Sequence, residues 1–573
     1  MNVPHYGPRT VAADSLHSMK YRSPNEDFRE ALGGRVAFGL KDNDKHFYEI
    51  REILLDQRFL PGGRVQGAIG ALRQTTAFNC YVSGTIGDSF VEGHDSIMQR
   101  AKEAAATMRM GGGIGYDFST LRPRGALIKK LQSHSSGPMA FMGIFNQVCL
   151  AAASSGHRRG AQMGVMRVDH PDISEFIAAK QNTTNLNGFN VSIAVTDEFM
   201  EAALSNKTFD LRFHGEVYAT VDAAEMWERI MRSTYDWAEP GVLYIDRVNG
   251  MNNLWYCETI AATNPCGEQP LPPHGACLLG SFNLVKYLRK YTDHNVHYFD
   301  FNQFRDDIPP VVRAMDNVTD RTRYPLAEQR AEALTKRRMG LGVTGLANAA
   351  EACGRPYGSI GFLDFEVMVL TILRDETYRA SSELAKEKGS FPLFDADRYL
   401  AGQFIQTLPD DIRDMIRVNG IRNSHLTSIA PTGTISMCAD NVSSSIEPVF
   451  SYSIQRPVNT PSGQVIMTIN DYGAEFLNTK GVLTSDVKAK DHVNVLTVAQ
   501  KYIDSAVSKT CNMDGRTMPW EDFKGIYQAA WENGAKGCTT FNISGKRMAL
   551  LTANTEEGAA CTIDLETGAR SCE

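Results

Sequence analysis

Between residues 12 and 58 charged and apolar positions alternate with a helical period, in NEDFREALGGRVAFGL and in KHFYEIREILLDQRF, and the pattern stops at Pro61-Gly62-Gly63. This predicts a helical N-terminal region, taken here as residues 1–75. The stretch SIMQRAKEAAATMRM, 96–110, is rich in strong helix formers and predicts a helix that stops at Gly111-Gly112-Gly113-Ile114-Gly115. A glycine run after a helix ordinarily only ends it, but glycines also let a backbone approach a ligand closely, and both readings stand. Short β-rich runs, FNVSIAV, GVLYI and SHLTSIA, recur between longer helical segments such as AAEMWERIMRSTYDWA and EVMVLTILRDETYRASSELAKEK. That alternation predicts an α/β body with a largely parallel sheet or barrel, over residues 76–547. From 548 onward, MALLTANTEEGAACTIDLETGARSCE has few large apolar residues and predicts a mobile C-terminal tail, 548–573. One stretch fits neither period: NPCGEQPLPPHGACLLGSFNL, 264–284, has prolines at 265, 270, 272 and 273 that lack the N–H of a helix or central strand. It is expected to be an irregular loop that presents Cys266 between Asn264 and Glu268.

Composition narrows the field of functions. With 573 residues, 43% hydrophobic and 22% charged, the chain has the make-up of a soluble globular protein. A net charge of −7 is small for this length, so no broad basic surface invites a nucleic-acid polymer or an anionic membrane, while a small anionic ligand stays open. The opening MNVPHYGPRTVAADS holds no secretory core and no later apolar run reaches about 18 residues. The expected location is cytoplasmic. In that setting the eleven cysteines are reduced thiols rather than a disulfide framework. Cys149, Cys257, Cys353, Cys438, Cys511 and Cys538 are read as packing residues.

Cys266, Cys277, Cys561 and Cys572 then need a chemistry. Zinc wants about four ligands in close pairs, and no CxxC or HxxxH pair occurs, so no metal site is expected. A nucleophilic cysteine needs a base, for which His274 is near in sequence only. Thiol–disulfide exchange needs a thiol pair and a way to re-reduce it, and a tail with two more cysteines supplies that way. A third role makes Cys266 a radical carrier, with Glu268 as acid/base partner and Asn264 as hydrogen-bond anchor. From the residues alone these roles stay open.

Asn264-Pro265-Cys266-Gly267-Glu268, followed by Cys277-Leu278-Leu279-Gly280-Ser281-Phe282-Asn283-Leu284, resembles the finger loop and next strand of the catalytic subunit of ribonucleotide reductases. Phe78-Asn79-Cys80 leading to Gly87-Asp88-Ser89, then MRMGGGIGYDFSTLRPRG, SSGHRRGAQMG and Ala430-Pro431-Thr432-Gly433-Thr434-Ile435 resemble the same family in the same order. The resemblance implies a ten-stranded α/β barrel whose central finger loop carries a thiyl radical on Cys266. It implies that Glu268 takes the 3′-hydroxyl proton of a ribonucleotide and that Asn264 holds the substrate hydroxyls. Cys80 and Cys277 become the pair that supplies two reducing equivalents. Cys561 and Cys572 become a shuttle recharged by a thioredoxin-like reductant. Pro431, Thr432, Gly433, Thr434 and Ile435 are expected to hold substrate phosphate on backbone N–H groups.

The resemblance further implies a specificity effector, a deoxynucleotide or ATP, at Asp88, Arg122 and Arg159, bound in a homodimer that couples effector and substrate sites. No domain for overall dATP control is expected ahead of the helical region. Relatives driven by a separate metal-bearing subunit relay the radical through two adjacent tyrosines, whereas here Thr539, Thr540, Phe541 and Asn542 stand in KGCTTFNISGKR. Those side chains break such a relay, so the expectation is the adenosylcobalamin-dependent class. The alternatives are a chain that needs a radical-generating small subunit, and a nucleotide-binding regulator without catalysis. The full set of Cys80, Asn264, Cys266, Glu268 and Cys277 argues against the regulator.

Overall fold

The structure, a computed structural model, describes residues 6–152, 161–181, 186–291, 297–460 and 463–546. Helices Val11–Tyr21, Arg29–Val36, Ala37–Leu40 and Asp44–Leu55 form the expected N-terminal region, the second wound as a π-helix. Thr10 and Asn43 cap the first and last by accepting from the backbone N–H groups of Ala13 and His46. Asp44–Leu55 buries Ile50, Ile53, Leu54 and Leu55 on one stripe, as its period requires.

The strands that build the site are β1 Phe59–Pro61, β2 Cys80–Val82, β3 Gly113–Asp117, β4 Gln162–Arg167, β5 Phe189–Val195 and β6 Gly241–Tyr244. They continue as β7 Ala262–Thr263, β8 Pro270–Leu271, β9 Ala276–Cys277, β10 Leu279–Asn283, β11 Gly340–Thr344, β12 Thr510–Met513 and β13 Gly537–Asn542. An eight-stranded sheet runs in the order β9-β2-β3-β4-β5-β6-β13-β12, antiparallel only at β9–β2 and β6–β13. A second sheet, β1-β10-β11, pairs β10 with β11 in parallel. FNVSIAV coincides with β5, and its near-continuous apolar run fits a parallel strand covered on both faces. The fold is thus mixed α/β with a large, mostly parallel sheet.

Two expectations change. SHLTSIA is not a full strand: only Thr427 and Ile429 make bridges, to Leu341 and Val507. The Asp504 carboxylate accepts from the N–H groups of Leu426 (2.7 Å) and Thr427 (3.0 Å) and draws those donors out of a ladder. GVLYI also shortens, because Ile245 opens the helix Ile245–Gly250.

A large apolar core lies between the sheets and the helices, and a second, smaller one joins Val82, Met163, Ala194, Leu243 and Leu279 to Ala262 and Leu271. The smaller core therefore packs strand faces against the β7–β8 pair. Among the described residues no helix is long and apolar enough to cross a membrane.

Candidate active site

β7 and β8 form a two-rung ladder, Ala262 with Leu271 and Thr263 with Pro270, which closes the loop 264–269. The stretch 264–284 is thus less irregular than its prolines suggest, since Pro270 joins this short edge pair. Asn264 ties the loop across its neck: its N–H donates to Gln269 O (3.1 Å) and its Oδ1 accepts from Gln269 N (3.0 Å). Gly267, at φ +81°, takes the left-handed turn that leaves Cys266 exposed at the apex.

Neighbouring strands hold the loop from both sides. A Cβ on Gly115 would lie 1.8 Å from Thr263 O, and one on Gly113 would lie 3.1 Å from both Cys80 Sγ and Pro265 Cγ. The glycine run therefore does more than end the helix Ile97–Arg109: it starts β3 and lets that strand lie against the Cys266 loop. Asn190 Nδ2 donates to Pro265 O (3.1 Å), and Glu268 O accepts from Ser428 Oγ (2.9 Å) and Ala506 N (3.0 Å). Sequence reasoning passed over Asn190 and Ser428. The only hint was their position in or beside β-rich runs.

Cys80 and Cys277 are register partners across β2 and β9, and both are thiols. Facing residues in an antiparallel pair have Cα atoms about 4.5–5.5 Å apart, within the roughly 4.4–6.8 Å that a disulfide spans. Burial raises the Cys277 thiol well above its ordinary range, and the nearby acids Glu268, Cys80 and Cys266 push it the same way. Those four groups are thus electrostatic neighbours. Glu268 is buried and its carboxyl is pushed up to about 7, chiefly by burial, with its own backbone N–H and the Asn264 amide opposing the shift. Asn264 is near enough to favour the anion without an aligned bond, because neither Glu268 Oε2 nor Asn264 Nδ2 has a hydrogen-bond partner. Both are buried polar atoms left without an aligned hydrogen bond in the protein.

Cys266 opens into a cleft lined by Met163, Asn190, Ser192, Pro431 and Lys509, and by Thr539 and Thr540 of β13. Thr540 Oγ1 meets the hydroxyl of buried Tyr527 at 2.9 Å, so it turns to the helix-covered side and leaves Thr539 toward the cleft. Gly241 and Gly537 complete this wall of small residues. The Pro431–Ile435 turn places Thr432 at φ +55° ahead of the helix Gly433–Met437. Asp88 and Arg122 come together at 2.7 Å, and neither lines the cleft. Arg159, Cys561 and Cys572 lie outside the described residues.

The family model described as ribonucleotide reductase, barrel domain, matches residues 78–541. A vitamin B12-dependent ribonucleoside-diphosphate reductase of Thermoplasma acidophilum is 32% identical over 539 residues, covering 88% of this chain and 66% of the relative. One of the same name from Mycobacterium tuberculosis is 32% identical over 515 residues, covering 83% and 70%. A vitamin B12-dependent ribonucleotide reductase of Streptomyces clavuligerus is 25% identical over 594 residues, covering 89% and 61%. The chain spans about two thirds of the length of these relatives. A barrel-domain match over most of the chain, coinciding with the elements that bring Cys80, Cys266, Glu268 and Cys277 together, means that the chain belongs to the ribonucleotide reductase family.

Proposed function

We propose that this chain reduces ribonucleotides to 2′-deoxyribonucleotides through a thiyl radical on Cys266, with adenosylcobalamin as the radical source. The observation that carries the reading is the gathering of Glu268, Cys80 and Cys277 about the loop of Cys266, which itself lines the cleft. Cys266 takes the 3′ hydrogen of the ribose and Glu268 takes the 3′-hydroxyl proton, while Asn264 Nδ2 holds the substrate hydroxyls. The 2′-hydroxyl then leaves as water. Cys80 and Cys277 give two electrons and two protons and close as a disulfide, and Cys266 returns the hydrogen to C3′. A carboxyl near 7 suits this task, because it is a strong enough base to take the proton and is still substantially ionised at neutral pH.

Adenosylcobalamin fits the side of the cleft built from Ser192, Gly241, Gly537 and Thr539, where small side chains leave Cys266 open to a large planar group. When bound, it supplies the radical that removes the hydrogen atom from Cys266. The names of the relatives favour this source over a separate radical-generating subunit, and two of them favour a diphosphate substrate.

The closed ten-stranded barrel with a central finger loop rests on the way the two sheets join. Leu278 alone separates β9 from β10, Leu341 of β11 bridges Thr427, and Ile429 bridges Val507, three residues before β12. Counting residues 427–429 as a strand and β9–β10 as one, the ring has ten members, and the inner apolar core against β7–β8 is what a central loop requires. A domain division at 1–75, 76–547 and 548–573 goes with it.

The N–H groups of Gly433, Thr434 and Ile435 precede the first bonds of their short helix, Ser436 N to Thr432 O and Cys438 N to Thr434 O, which leaves them for substrate phosphate. The effector reading of Asp88 and Arg122, with Arg159, and the homodimer are supported by exposed Phe90, Val91, Met98 and Leu127 around that ion pair. Cys561 and Cys572, with a thioredoxin-like donor, complete the redox cycle.

The test is an assay of the isolated chain with adenosylcobalamin, a ribonucleoside diphosphate and dithiothreitol. Deoxynucleotide should form, and Cys266→Ser should form none while binding effector normally. Turnover only with an added metal-bearing subunit would reverse the choice of radical source.

A further inference from the structure

We propose that Thr344 is a positioning residue for substrate phosphate: its hydroxyl holds the Pro431–Ile435 turn in the shape that binds the anion. The inference rests on the phosphate reading of that turn. Thr432 sits at φ +55°, a left-handed conformation that a β-branched residue adopts only when its surroundings impose it. What imposes it is a knot of hydroxyls behind the turn. Thr432 Oγ1 accepts from Ser445 N at 2.7 Å and meets Ser436 Oγ at 3.0 Å and Thr344 Oγ1 at 3.0 Å.

Thr344 is the member of the knot that comes from the sheet. It is fully buried at the C-terminal end of β11, and its Oγ1 meets Ser436 Oγ at 2.8 Å, accepts from Ser445 N at 3.1 Å and reaches Ser443 O at 3.2 Å. One side chain thus ties a rigid strand to the turn and to the loop 443–445. With its hydroxyl drawn into the knot, Thr432 itself is buried, while Pro431 and Thr434 stay half-buried at the surface of the turn. Without the Thr344 hydroxyl, Thr432 keeps partners only within its own turn and the following loop. Both can then relax together toward an ordinary right-handed conformation and carry the N–H groups of 433–435 out of register with a phosphate.

The experiment compares dissociation constants of a ribonucleoside diphosphate and the matching nucleoside, by calorimetry, for wild type, Thr344→Val, Thr344→Ala and Thr344→Ser. The nucleoside constant divided by the diphosphate constant isolates the phosphate contribution. In Thr344→Val and Thr344→Ala the ratio should fall about tenfold with nucleoside binding unchanged, and Thr344→Ser should restore it. In turnover the loss should appear in KM with kcat kept. An unchanged ratio in either folded variant, or an equal loss for nucleoside and diphosphate, overturns the role of Thr344 alone. A wild-type ratio near one overturns the phosphate reading as well.

Discussion

Glu258 and Glu268 are ten positions apart, both deeply buried, and they titrate in opposite directions. Burial raises each carboxyl, but Glu258 has Arg338 hydrogen-bonded to it and Lys336 Nζ 2.8 Å away, and these cations outweigh burial and hold it below the usual range. The lysine pairs charge without the alignment of a hydrogen bond. Glu268 has no cation among its influences, so burial wins and lifts it to about 7. One carboxylate is part of what holds the fold. The other keeps an unpartnered oxygen beside Cys266 and Cys277, which costs stability and suits the base role proposed for it.

The contrast breaks most visibly at Glu268. Glu268→Gln should lower turnover by about 10²–10⁴-fold, the usual contribution of a positioned acid or base, with a melting temperature equal to or above wild type because no ion pair is lost. A melting temperature that drops with turnover would make Glu268 structural. Glu258→Gln leaves Arg338 and Lys336 short of a counter-charge and should cost about 3–5 kcal/mol of stability in denaturant titration. Turnover per folded molecule should hold, and a stable but inactive Glu258→Gln would erase the distinction between the two sites. The pH profile offers the smallest and sharpest signal. A base must be deprotonated, so kcat/KM should be half-maximal near pH 7, level off about one unit above it and fall toward tenfold per unit below it, as Glu268 gains its proton. Glu258, held low, should add no limb in that range.

Local reasoning succeeded where local physics is enough. The helix at 97–109 follows from its formers, and FNVSIAV is β5 because a mostly apolar, β-branched run of that length suits a largely buried strand. It failed where a distant side chain intervenes. SHLTSIA looks like a strand, yet Asp504, some eighty residues on, takes its amides. Gly113 and Gly115 could be a helix stop or a place of close approach, and only the packing of Thr263 and Pro265 against them decides for the second. Nothing local pairs Cys80 with Cys277, nearly two hundred residues apart; the resemblance to the family implies the pair, and their register across β2 and β9 is set by the sheet. Thr344 carries no local mark at all, since its role exists only through Thr432, Ser436 and Ser445.

The order of residues by itself determined which chemistry is on offer: a thiol and a carboxyl two positions apart on a proline-bounded loop, two further thiols, and a turn of glycine and hydroxyl residues. Periodicity and turn chemistry act over a few neighbours, so this much is written along the chain. The tertiary structure alone decided that the loop packs against β3, that Cys80 faces Cys277, and that Glu268 is buried without a cation while Glu258 is buried with two. Solvation and charge pairing depend on what lies within a few ångströms in space, and residues 80, 266, 277 and 428 become neighbours only when the chain has folded.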